Sequence, residues 1–229
     1  MIFYKYKAPI LLYHHVSGEG DRTITVSPHT FGRQMEQLAQ GGKRVVSLET
    51  WLEAGRQFWR PVAITFDDGG LDTYTEAFPV LQRYRLPAAV FVVTDWVDRP
   101  GFLRWGHLRE MATAGWTIGS HTKSHSYLPD LPSSKWEEEI RGSKEILEDK
   151  LQRPVNLFSY PVGGYTEEIM ACVRRAGYRA ACTTNRGDFF SFDPYRLTRI
   201  KMTEASHPFV VWVKASGHYE HFKRSKPSH

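Results

Sequence analysis

Cysteine is nearly absent from this chain: 229 residues hold only Cys172 and Cys182. Two thiols cannot make the disulfide framework of a small secreted scaffold, so both are expected as reduced core residues. Long apolar runs are absent too. None approaches the ~20 residues that a bilayer-spanning helix needs. The short apolar stretch ending at Leu12 contains Pro9 and is too brief for the core of a secretion signal. As given, the sequence predicts a cytoplasmic protein, or an extracellular or periplasmic one if a leader has been trimmed. Charge of one sign is only mildly in excess, at a formal +5, part of it in the basic tail from about residue 221. That excess favours solubility and weak attraction to anionic polymers. No basic helix and no zinc-finger spacing accompanies it, so nucleic acid is not an expected partner. Low-complexity linkers and internal repeats are missing, and the length suits one domain over 1–229.

What is present is an alternation of short apolar runs with helical patterns. Strands are predicted over 10–13, 44–48, 62–66, 88–93, 116–119, 155–160, 179–183 and 197–202. Helices are predicted over 28–41, 49–56, 72–83, 105–114, 134–151 and 166–176. Ser27 before Pro28 is a helix-start signature, with Phe31, Met35, Leu38 and Ala39 on one face. Ser134 to Glu137 has capping-box spacing. Strands buried on both faces and separated by helices imply a parallel sheet. About seven such units favour an α/β fold of the distorted (β/α) barrel kind, in which function gathers where strands end.

Two segments at predicted strand ends carry chemistry. In Thr65-Phe66-Asp67-Asp68-Gly69-Gly70 a buried strand runs into adjacent carboxylates. Turn residues alone explain one acid there. Two repel each other unless a partner such as a cation takes one. In His121-Thr122-Lys123-Ser124-His125 two imidazoles are spaced to reach one side of a tight turn. One carboxylate and two histidines leave open positions on a divalent metal, as catalytic sites require, and the other carboxylate stays free for proton transfer. A third segment, Ser159-Tyr160-Pro161-Val162-Gly163-Gly164-Tyr165, is a strand-to-helix turn able to hold a backbone N–H toward a reacting oxygen.

These segments, in this order, resemble the polysaccharide deacetylase family (NodB-homology, carbohydrate esterase family 4) over nearly the whole chain. Leu12-Tyr13-His14-His15-Val16 and Arg44-Val45-Val46-Ser47-Leu48 are similar to the branch acting on poly-N-acetylglucosamine. The resemblance implies Asp67 as general base. It implies Asp68, His121 and His125 as ligands of a divalent metal, commonly Zn²⁺, with Co²⁺, Ni²⁺ or Mn²⁺ as substitutes. Thr122 would support the ligands, and the Val162 N–H would serve as oxyanion donor. The implied activity is release of acetate from an N-acetylated poly- or oligosaccharide.

Two family features have no counterpart by motif. The third motif's Arg, which steadies the base, is missing. The final His, a general acid, is also missing. His14 is the preferred substitute, with His15 and His207 as alternatives that strand phase would decide. Trp96, Trp105 and Tyr165 are candidates to stack on sugar rings. Three other readings stay open: a two-carboxylate barrel glycosidase, a deacetylase of a small intracellular glycoconjugate, and an inactive carbohydrate-binding protein on the same fold.

Overall fold

The computed structural model describes residues 9–54, 61–184, 193–206 and 208–215. The predicted site residue His207 and the basic tail lie outside these. In chain order the elements are β1 (Ile10–Tyr13), β2 (His15–Val16), β3 (Thr25–Val26), α1 (Pro28–Gln40), α2 (Leu48–Ala54) and β4 (Ala63–Phe66). Then follow α3 (Phe78–Tyr84), β5 (Ala89–Val92), α4 (Trp105–Thr113), β6 (Thr117–Ser120), α5 (Ser143–Leu151) and β7 (Leu157–Ser159). The chain continues through α6 (Glu167–Arg175), β8 (Ala180–Thr183), β9 (Leu197–Thr198), β10 (Ile200–Lys201) and α7 (Pro208–Ala215).

Eight strands form one parallel sheet in the order β10-β1-β4-β5-β6-β7-β8-β9. Its two edges are consecutive in sequence. Leu197 and Thr198 pair with Cys182 and Thr183 of β8, while Ile200 and Lys201 pair with Leu11 and Leu12 of β1. A single extended stretch thus bridges both edges and closes the sheet into a (β/α) barrel, as the alternation of elements predicts. The predicted strand over 197–202 is interrupted at one residue, Arg199, whose side chain turns inward.

Strand alternation sorts the side chains into two cores. Ile10, Ala63, Ala89, Phe91, Leu157, Ala180, Cys182 and Leu197 point inside the barrel. Leu11, Tyr13, Ile64, Phe66, Val90 and Phe158 point outward against the helices. The segment predicted as a strand over 44–48 makes only one bridge, Val45 to Val62. It dives under the barrel, where Val46, Leu48 and Trp51 join the inner cluster and plug its floor. Burial there outweighs ladder formation.

Helix starts follow local chemistry. Ser27 Oγ accepts the Thr30 N–H at the head of α1, and Thr166 Oγ1 accepts the Ile169 N–H at the head of α6. Phe31, Met35 and Leu38 are buried as expected, but Ala39 faces solvent. The helix predicted over 134–151 does not start with a capping box. Ser133–Lys135 is a 3₁₀ turn, Glu138–Gly142 a π turn, and only then does α5 begin. The helix predicted over 72–83 likewise opens with a π turn, Thr73–Ala77. Wide turns of this kind re-aim side chains, and the first of them delivers Glu139 to the site described below.

The barrel interior is narrow. At Gly119 on β6 a Cβ would lie 2.5 Å from the Phe91 ring and 3.0 Å from the Leu157 carbonyl. Gly119→Ala is expected to destabilise by about 1–3 kcal/mol through overpacking. Urea unfolding should show a lower midpoint at unchanged m-value.

Candidate active site

The inward positions at the C-terminal mouth of the barrel are polar. Asp67 follows β4 in phase with Ala63 and Thr65, and it is 2% exposed. Its partner comes from the closing stretch. Arg199 donates from Nη1 to Asp67 Oδ1 at 2.7 Å and from Nη2 to Oδ2 at 2.6 Å. Nη2 also donates to Ser159 Oγ at 2.9 Å, and Nε to the Thr183 carbonyl at 3.4 Å. Ser159 Oγ donates on to Asp67 Oδ2 at 3.3 Å. Burial by itself raises the Asp67 pKa, but the Arg199 charge, then that of His121, hold it below the usual carboxylate value. A guanidinium beside Asp67, absent from the third motif, thus comes from the stretch between β9 and β10. Sequence reading missed Arg199 because no motif surrounds it. The available signal was a lone arginine inside a predicted buried strand.

Asp68, His121 and His125 come together, with one ligand atom from each lying within 4.8 Å of the others. Asp68 Oδ1 is 3.4 Å from His121 Nε2 and 3.2 Å from His125 Nε2. That oxygen is buried and makes no hydrogen bond. The His121 Nδ1 is 2.7 Å from the Ser159 carbonyl, which fixes the ring with Nε2 toward Asp68. For Asp68 too, burial raises the pKa, and contacts with His121 and His125 reverse it to well below normal. One carboxylate oxygen and two outward-aimed imidazole nitrogens around an unsatisfied buried oxygen form a donor set suited to a divalent cation with open positions.

The loop that carries His125 is tied down from outside. Glu139, buried on its π turn, accepts the N–H groups of Lys123 at 3.0 Å and Ser124 at 2.9 Å, and the Ser124 hydroxyl at 2.7 Å. Thr122, wholly buried, accepts the His125 N–H at 3.0 Å through Oγ1. The Trp96 ring stacks on His125 with centroids 5.0 Å apart. This gives Trp96 a place beside the Asp68–His121–His125 cluster. Trp105 packs against the outer core, and Tyr165 both packs there and meets Tyr160.

Backbone strain concentrates at the same place. Among the described residues seven non-glycine positions have positive φ, and four belong to this site: Asp68 (70°), Thr122 (66°), His125 (64°) and Val162 (57°). A β-branched residue in the left-handed region is held only by its surroundings. Thr184 Oγ1 donates to the Val162 carbonyl and Thr183 Oγ1 to that of Gly163. The turn leaves the Val162 side chain 68% exposed.

Strand phase separates the two N-terminal histidines. His14 follows β1 in phase with the inward Ile10. Its Nδ1 is buried without a partner, and burial lowers its pKa against the opposing pull of Asp67 and Asp68. His15 turns outward to Asp72, 3.4 Å away, which raises its pKa.

Comparison with known proteins gives a consistent picture. The sequence model of a family described as "Polysaccharide deacetylase" matches residues 56–181, more than half of the chain. The Bacillus subtilis (strain 168) polysaccharide deacetylase homologue YxkH is 31% identical over 79% of this chain. The chain spans 66% of that relative, just under two thirds of its length. The poly-beta-1,6-N-acetyl-D-glucosamine N-deacetylase of Staphylococcus aureus (strain MRSA252) is 24% identical over 78% of this chain and 70% of its own length. Among solved structures, the Streptococcus pyogenes deacetylase PplD in complex with acetate superposes with a TM-score of 0.86 at 25% identity. It covers 91% of this chain and 98% of that one.

Two substitutions test the site's architecture. Arg199→Met leaves a buried unpaired carboxylate and should cost about 3–5 kcal/mol. Adding Asp67→Asn should return part of that loss, and strictly additive unfolding free energies would rule out the coupling. Glu139→Gln sets an amide against the loop N–H groups. It should weaken divalent-cation affinity about 10–100-fold in a chelator competition, with little change in the melting temperature of the metal-free protein.

Proposed function

Because the chain belongs to the polysaccharide deacetylase family, we propose that it hydrolyses N-acetyl groups on a glycan containing N-acetylglucosamine, in a metal-dependent reaction that releases acetate. The observation that carries this reading is the pairing of two unlike carboxylates. Asp68 faces two imidazole nitrogens, while the adjacent Asp67 is kept ionised by Arg199 and bears no ligand role.

A divalent cation, most simply Zn²⁺ with Co²⁺, Ni²⁺ or Mn²⁺ as substitutes, would be held by Asp68, His121 and His125 and would supply Lewis acidity toward the acetamide oxygen and toward water. Asp67 accepts a proton as a water oxygen bonds to the acetyl carbon. Its lowered pKa keeps it ready as a base, and the two-point contact with Arg199 fixes its direction. The Val162 N–H is the donor for the oxyanion that develops on the former carbonyl oxygen. When the C–N bond breaks, the leaving nitrogen takes a proton from His14. Burial makes that imidazolium a stronger acid than a solvated one. The products are acetate and a free amino sugar. The S. aureus relative named for a β-1,6-linked polymer favours that linkage as the first one to try.

The reading as an inactive carbohydrate-binding protein drew on the missing arginine and the uncertain general acid; Arg199 answers the first ground, and the role proposed for His14 answers the second. A glycosidase needs two carboxyl groups about 5–9.5 Å apart across a scissile bond. Neighbouring Asp67 and Asp68, one engaged by arginine and one by imidazoles, offer no such pair.

The test is acetate release from β-1,4- and β-1,6-linked N-acetylglucosamine oligomers, with chelator and with added Zn²⁺. Activity should vanish with chelator and return with metal. Asp67→Asn should lower kcat by about 10²–10⁴-fold while metal content stays stoichiometric. His125→Ala should lose metal and rate together. Acetate release that persists in metal-free protein, or full activity of Asp67→Asn, would refute the mechanism.

A further inference from the structure

A cavity of about 740 Å³ opens at the rim of the barrel mouth, between the first turns of α1, the loop after β2 and the segment following β10. Its lining includes Arg22, Arg33 and Lys201. The other charged group there is Glu204, and its carboxylate is already engaged. It accepts the Ser27 N–H at 2.7 Å, the Ser27 hydroxyl at 3.0 Å and the Thr30 hydroxyl at 2.7 Å. The amide of Gln34, 2% exposed, is used as well: Oε1 accepts the Tyr13 hydroxyl at 2.9 Å and Nε2 donates to the Ser206 carbonyl at 3.1 Å. Among the described residues no carboxylate lies within ion-pairing distance of Arg22, Arg33 or Lys201. Three cations therefore face one lining carboxylate, Glu204, which is engaged by Ser27 and Thr30, while the nearby Asp21 is engaged by Thr23, so positive charge is in excess in the recess.

The recess adjoins the site. Lys201 is in register with Leu12 on β1, two residues before His14, and its charge is felt there. A cleft with an excess of one sign of charge concentrates the opposite sign, and the guanidinium fork suits carboxylate and phosphate groups. A neutral sugar hydrogen-bonds to such a lining without the added attraction of opposite charge. The amino sugar left by deacetylation, itself a cation, is repelled by it.

We propose that this cavity is a subsite for an acidic substituent, carboxylate or phosphate, on the glycan whose acetamide enters the Asp68–His121–His125 pocket. The proposal rests on the deacetylase reading for the identity of that glycan, and on the cavity alone for the charge it selects.

The experiment compares a matched pair of substrates on the metal-loaded protein. One is a short chain of alternating N-acetylglucosamine and N-acetylmuramic acid without peptide, bearing free lactyl carboxylates. The other is the same chain with those carboxylates converted to methyl amides. Acetate release gives kcat/KM and calorimetry gives Kd, each at low and high salt. The acidic chain should be preferred by about tenfold in both quantities at low salt, and the preference should shrink at high salt. Arg22→Gln with Arg33→Gln should bring the acidic-to-amide ratio close to one, and Arg33→Glu should push it below one. Equal Kd and equal kcat/KM for the two chains would overturn the subsite. If neither chain releases acetate, the deacetylase reading has failed and the Kd ratio alone decides the cavity. Inorganic phosphate is the third arm. Phosphate that binds at millimolar concentration to a protein showing no preference between the chains would mark a small-anion site and equally overturn the glycan proposal.

Discussion

The contact on which the site depends is the buried pair between Asp67 and Arg199. A carboxylate sealed from water at the centre of a barrel is costly, and the cost is tolerable only with a partner of excellent geometry. Arg199 meets that condition with two parallel hydrogen bonds. It does so from the middle of the stretch that joins β8 to β1, so the same residue that neutralises Asp67 sits where the barrel closes. Opening the closure strips Asp67 of its counter-ion, and removing the counter-ion leaves a charge in the wall of the closure. Such pairs add little net stability compared with well-packed apolar side chains. Here the two-point contact sets the direction of the Asp67 carboxylate.

Around that pair the mouth is held under strain rather than relaxed. Asp68, Thr122, His125 and Val162 are non-glycine residues in the left-handed region, each costing on the order of 1–3 kcal/mol. Their surroundings over-determine them. Glu139 and Thr122 Oγ1 fix the loop between the histidines, and Thr183 and Thr184 fix the carbonyls of the Val162 turn. The result is that one oxygen of Asp68 and the Nε2 atoms of His121 and His125 are aimed at one point. That is the pattern expected of a site organised in advance of its ligand.

Much of this was legible in the sequence, and the parts that were not share a cause. The strands were found because buried parallel strands read as apolar runs. The two segments that meet at Asp68, His121 and His125 were found because their residues are local, two carboxylates side by side and two histidines four apart. Arg199 and Glu139 were invisible because each acts on residues far away in the chain, and nothing near either of them has unusual spacing. The segment over 44–48 was misread because a β-branched run can fill a barrel floor as well as a ladder. The capping box at Ser134 was misread because burying Glu139 outweighs a regular first turn. His14 and His15 could not be separated until strand phase was fixed by Ile10 lying inside.

The two departures from the family's motifs have one geometric explanation. In a closed ring of short parallel strands, every inward position at the mouth faces the same central space. A long side chain can therefore reach a given group at the mouth from more than one strand, as Arg199 reaches Asp67 and Ser159. The arginine absent from the turn after β7 arrives instead from between β9 and β10. β7 and the closing stretch are both neighbours of β8, and Arg199 still reaches Ser159 at the end of β7. The role proposed for His14 follows the same logic. The first and last strands pair directly, with Leu12 beside Lys201, so a group expected after the last strand and a group placed after the first project into adjoining sectors of the mouth. Motif order in the chain is then a weak guide to which residue performs a step, and inward phase at a strand end is the stronger one.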